Sequence, residues 1–196
     1  MCERCNGELN RRFEVPARNP LGQLFAARGA IALDGQDLEA VALWLLKTLL
    51  LHGRPEARYS APRIDDVALK WTPDELPERR FFDWLVTGDS PPSGLSLWVF
   101  RSDEADETVP PSRYTIPLPV VTADGATTEF VNFQMTFHGL NLTIVVHPGW
   151  VIRHPLEENR QAVRLWPNPP EDGADLGLLP VLHRRTVACV NVAVIP

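Results

Sequence analysis

The chain has 196 residues, 44% of them hydrophobic and 22% charged, with 19 Lys and Arg against 25 Asp and Glu for a net charge of −6. That balance is ordinary for a globular chain and excludes a generally basic surface built to grip phosphates. No run reaches the roughly 18–20 apolar residues that cross a bilayer, and the opening Met1-Cys2-Glu3-Arg4-Cys5-Asn6 has no apolar signal core, so the expected setting is the cytoplasm, away from membranes.

Residues 6–28 read as two short helices separated by Pro16 and Pro20, and their slight excess of arginine over glutamate is expected on a solvated face. Ala30 to Leu33 suggests a brief strand. Asp37 then looks like the N-cap of a helix running from Leu38 to Leu51 and stopped by Gly53. This helix is apolar on nearly every face, interrupted by Glu39, Lys47 and Thr48, which predicts a central helix buried all round. A further helix is expected from Asp74 through Phe81, Phe82 and Trp84 to Val86, ended by Gly88 and Pro91-Pro92.

From Leu95 the hydrophobic pattern changes to that of strands, at residues 96–100, 114–121, 128–137 and 142–146. Asp124-Gly125 and His138-Gly139 fall where hairpin turns belong. Shorter strands are expected at 162–166 and 187–195, and exposed acidic, Pro-containing loops at 102–112 and 167–176. Helices followed by an antiparallel β-meander define an α+β protein, with residues 29–196 as one α+β body.

Three cysteines without a signal peptide argue against a disulfide framework. Cys189 lies in a strand-like run and reads as a small buried apolar residue. Cys2 and Cys5 have the C-x-x-C spacing that aims two thiolates at one metal, yet zinc takes four ligands and no second pair follows at a recognisable spacing. A thioredoxin-like redox pair would follow a strand, which residue 2 lacks.

Cys2-Glu3-Arg4-Cys5-Asn6, Phe13-Glu14 and the helix segment Ala42-Leu43-Trp44-Leu45-Leu46-Lys47-Thr48 resemble bacterial HNH-endonuclease-like proteins of poorly known function. Phe133-Gln134 and Leu165-Trp166-Pro167 look like pieces of the same family's C-terminal sheet. The resemblance implies that residues 1–28 hold part of a treble-clef zinc knuckle, with Cys2 and Cys5 as its second zinc pair. It also implies a catalytic-site role for Asn6 and a nucleic acid partner reached through a region N-terminal to the knuckle. Gly7, Glu8 and Leu9-Asn10 depart from the family pattern, and its first cysteine pair and activating His have no counterpart here. The expectation is therefore an HNH-like protein inactive as a nuclease in this form. The alternative is a non-enzymatic binding or accessory domain.

The histidines show no ligand spacing with a carboxylate. His52 suits a helix C-terminus, His138 a turn, and His147 and His154 each precede a proline, while His183 lies near the chain end. Asp65-Asp66 and Asp172-Gly173-Ala174-Asp175 read as solvated loop acids. Gly94-Leu95-Ser96-Leu97-Trp98 approaches a nucleophile elbow but has Trp98 where glycine is required, so Ser96 reads as a serine opening a strand.

Overall fold

The structure is a computed structural model that describes residues 3–26, 31–53, 80–88, 90–91, 93–103, 118–121, 127–137, 140–147, 151–183 and 193–195. It opens on α1 (Glu3–Leu9), a π-turn over Asn10–Glu14, and α2 (Val15–Ala26). The expected interruption at Pro16 and Pro20 does not occur, and the three pieces form one helical run. Pro16 has no N–H to donate, and its ring crowds the carbonyl one turn back. The chain answers by widening the turn directly before it, where the Val15 N–H donates to the Asn10 carbonyl five residues earlier. Phe13, Ala17, Leu21 and Leu24, spaced at helical intervals, form the buried stripe of this run.

A short strand, β1 (Ala32–Leu33), leads into the helix α3 (Gly35–Gly53). The cap is Asp34 rather than Asp37. The Asp34 carboxylate accepts the Asp37 N–H at 2.8 Å and its carbonyl accepts the Leu38 N–H at 2.9 Å, which satisfies two of the first-turn donors. Leu38, Val41, Ala42, Leu45, Leu46 and Leu50 are buried. Each such leucine or valine side chain contributes about 1.5–3 kcal/mol of hydrophobic stabilisation. Of the described side chains on α3, Gln36 and Glu39 are the exposed ones, so the helix is central as its composition predicts. The next helix, α4, is described over Arg80–Thr87, and the expected start at Asp74 lies outside the described residues.

The strands are β2 (Leu95–Ser102), β3 (Leu118–Val121), β4 (Thr127–Phe137), β5 (Leu140–Val146), β6 (Val151–Arg153), β7 (Ala162–Trp166), β8 (Ala174–Asp175), β9 (Val181–Leu182) and β10 (Ala193–Ile195); a short helix, α5 (Pro155–Glu158), separates β6 from β7. With its helices and antiparallel sheet, the protein is α+β. The main sheet has the order β3-β4-β5-β2-β7. Strands β3 to β5 meander in chain order, with Phe137 opposite Leu140 across residues 138–139. The earliest long strand, β2, sits between β5 and β7, and its far end pairs with β9 in parallel. Two antiparallel pairs, β1 with β8 and β6 with β10, complete the pairing among the described residues. The expected turn at 124–125 and the strand residues 114–117 and 187–192 lie outside the described residues.

Both faces of β2 are buried, in keeping with the continuous apolar run Leu97-Trp98-Val99-Phe100. Leu95, Leu97 and Val99 join Leu142 and Ile144 of β5 and Leu165 of β7 in the core shared with α2 and α3. On the opposite face Ser96, Trp98 and Phe100 are enclosed as well. Among the described residues no helix is long and apolar enough to cross a membrane.

Candidate functional site

Cys5 and Asn6 lie at the start of α1, and both are exposed. The first turn of a helix favours a thiolate, because the N-terminal end of the helix is positive. Cys2 falls outside the described residues. Among the described residues no three of His, Cys, Asp and Glu converge as a metal-holding group. Those residues therefore supply Cys5 and Asn6 without the further donors that tetrahedral zinc requires.

A second group lies on the enclosed face of the sheet. Ser96 Oγ and His147 Nε2 are 3.0 Å apart, and the Asn141 amide donates to Ser102 Oγ at 2.6 Å. Next to them the Trp98 indole N–H donates to Glu157 at 2.9 Å, and Arg164 donates to the same carboxylate oxygen at 2.8 Å. His154 leans on the Trp98 ring and accepts the Leu156 N–H on Nδ1, which caps α5. Burial holds both histidines neutral: it pushes His147 down to about 4 and His154 also to about 4, the latter despite the opposing pull of Glu157.

The Ser96–His147 separation is that of a nucleophile and its base. Ser96 is 2% exposed and His147 4% exposed, however, so the serine oxygen is closed to an acyl substrate. The pair instead satisfies two polar groups in a low-dielectric layer, where leaving either unpaired costs about 1–3 kcal/mol. Ser96 thus opens a strand after a turn, as its sequence context suggests, and the structure adds the partner that this context does not reveal.

The third group forms an open cleft of about 480 Å³ lined by Gly35, Gln36, Glu39, Trp166, Asn168, Pro169 and Glu171. One wall is the first turn of α3. The other is the segment that follows β7, where the Trp166–Pro167 peptide is cis and Asn168 has a φ of 59°. Two close backbone approaches lock the walls together. At Gly35 a side-chain carbon would come within 2.8 Å of the Glu171 carbonyl oxygen. At Gly173, φ is +78°, and a side chain would run into the backbone of Leu33 and Asp34. Trp166 packs against the main core while also lining the cleft, so its ring is supported from behind. Its indole N–H is buried without a hydrogen-bond partner.

Sequence reading passes over this cleft. Its two sides are more than 100 residues apart, as the Gly35 and Glu171 positions show, and residues 167–176 read simply as an exposed loop. The available signal was Glu39, a carboxylate breaking an otherwise apolar helix. Among the other candidates, Asp175 is structural, accepting the Ile31 and Gly177 N–H groups. Asp172 is exposed, and His183 is exposed 3.8 Å from Asp103. The His52 side chain, Asp65, Asp66, His138 and Cys189 lie outside the described residues. Compared with family models, curated proteins and solved structures, the chain matches none.

Proposed function

We propose that this protein is a non-enzymatic binding or accessory domain that meets its ligand in the cleft between α3 and the Trp166–Glu171 segment. The cleft carries this reading. Its volume of about 480 Å³ falls in the size range of small-ligand sites, and its walls are pre-formed by backbone contact rather than by adaptable side chains. A supported aromatic ring with a few polar groups around it is recognition chemistry. Among the described residues no serine, cysteine, histidine or lysine lines it.

The N-terminal resemblance fits beside this reading as ancestry. A nuclease of the HNH-like kind needs a base to make hydroxide and a metal to steady the phosphate. Cys2, Cys5 and Asn6 supply neither the base nor a full ligand set for that chemistry.

Two measurements test the proposal. Plasmid and single-stranded DNA incubated with the protein and Mg²⁺, Mn²⁺ or Zn²⁺ are expected to remain intact; metal-dependent cleavage that disappears in Asn6→Ala would overturn the non-enzymatic reading. A fragment screen followed by ¹⁵N NMR is expected to perturb the Trp166 indole and the Gln36 and Asn168 amides. Hits confined to other surfaces would remove the cleft from the proposal.

A further inference from the structure

We infer that the cleft recognises an organic cation, a guanidinium or ammonium group on a ligand the size of one arginine or lysine residue; this rests on the cleft being the binding site. The protein already uses the required arrangement internally. The Arg164 guanidinium lies 5.5 Å from the centre of the Trp98 ring while Glu157 holds it at 2.8 Å. The Lys47 ammonium lies 5.7 Å from the Trp44 ring centre and 3.1 Å from Glu14. In each case an aromatic ring and a carboxylate share one cation. The ring attracts positive charge through its quadrupole, and the carboxylate fixes that charge in place.

The cleft contains the same aromatic and acidic parts. Trp166 supplies the ring, Glu39 and Glu171 supply carboxylates, and among the described residues no basic side chain lines the site. Neither glutamate forms an ion pair among the described residues. The positive end of α3 does not reverse the preference. The Asp34 carboxylate already caps it, and Asp37 lies in its first turn. Among the described residues, what remains uncompensated is negative charge around a supported indole. Gln36 and Asn168 add amide oxygens that can accept from the several N–H donors of a guanidinium.

Calorimetric titration of the whole protein with N-acetyl-arginine methylamide, agmatine and a short peptide with one central arginine tests this inference. The uncharged citrulline counterpart, methyl glucoside and Ca²⁺ serve as controls. The arginine probes are expected to bind, and the citrulline counterpart to bind about tenfold more weakly. The double variant E39Q/E171Q is expected to lose about tenfold in affinity, and Trp166→Leu several-fold, whereas Trp166→Phe retains most of it. Thermal unfolding of each variant separates lost binding from lost folding. Tighter binding of the peptide than of agmatine identifies a protein side chain as the natural ligand, and the reverse identifies a free amine; both support the inference. Equal binding of citrulline or methyl glucoside, displacement by Ca²⁺ at comparable concentration, or no binding by any cation overturns it. If the cations fail while NMR fragment hits still fall in the cleft, the binding-domain reading survives without its cationic ligand.

Discussion

The Arg12 guanidinium donates to the Leu85 carbonyl at 2.8 Å, across 73 residues of chain. A second nitrogen reaches the Trp84 carbonyl at 3.1 Å, so one side chain closes the C-terminal end of α4. The last carbonyls of a helix are short of internal partners, so Arg12 serves Leu85 and adds a second donor to Trp84, and its charge also meets the negative end of the helix. Gly88 assists by turning the chain at φ +90°, with its N–H donating back to Trp84. Phe13, the neighbour of Arg12, meets the Trp84 ring edge-on at 5.2 Å. The π-turn before Pro16 contains both residues of this clamp.

Arg12→Ala is therefore expected to lower stability by about 1–2 kcal/mol, measured by urea unfolding. Arg12→Lys should recover only part of the loss, because an ammonium cannot span two carbonyls as a planar guanidinium does. Hydrogen exchange should speed up in α4 before it does in α3. Unchanged exchange in α4 would mean that the clamp is incidental to helix stability.

Acid should weaken the fold through His147 and His154. Their folded-state values of about 4 lie below the 6.5 of an unperturbed histidine, so the unfolded chain takes up protons first as pH falls. Their contribution is complete above about pH 6.5 and is lost between about 6.5 and 4, with a slope on the order of 1 kcal/mol per pH unit for each histidine. Denaturant unfolding at several pH values across this window measures the slope. His154→Asn keeps a capping oxygen for Leu156 while removing one titration, and should make the slope clearly shallower. A pH-independent stability in both proteins would show that neither ring is held neutral.

Gly173→Ala should be among the most damaging single-methyl changes in the chain. The added carbon meets the Leu33 carbonyl at a backbone conformation that L-residues avoid. Strain and overpacking together should cost about 2–4 kcal/mol. A melting temperature within about one degree of the parent protein, on the order of less than half a kcal/mol, would contradict this close approach.

Lys47 should tolerate loss of its charge better than loss of its bulk. Its side chain is 8% exposed and pairs with a half-exposed Glu14. Replacing a buried ion by an apolar chain of similar volume is often neutral or stabilising. Lys47→Met is expected to change stability by less than about 1 kcal/mol, while Lys47→Ala should cost about 2 kcal/mol through lost packing. Equal losses in the two variants would assign the role to the ion pair instead.

Much of the architecture was legible in local pattern. The all-round apolar helix α3 is central, and the strand at 162–166 matches its expected bounds; the residues that would show the expected stop after Gly53 lie outside the described ones. Local pattern went wrong where one residue type admits two outcomes. A proline can end a helix or be absorbed by a widened turn, and Pro16 is absorbed because Phe13 on one side and Ala17 on the other both gain from staying buried. Either Asp34 or Asp37 could cap α3, and the preceding residue wins because its carboxylate reaches the free N–H of Asp37.

The sequence by itself determined the class of the protein, because hydrophobic period and the placement of Gly and Pro act within a few residues of chain. Only the tertiary structure decided that β2 lies between β5 and β7, that Arg12 clamps α4, that Ser96 is enclosed with His147, and that Gly35 meets Glu171 to make a cleft. These relationships join distant parts of the chain. They depend on which apolar faces cover one another, a choice settled by packing the whole core at once rather than by any local run of residues.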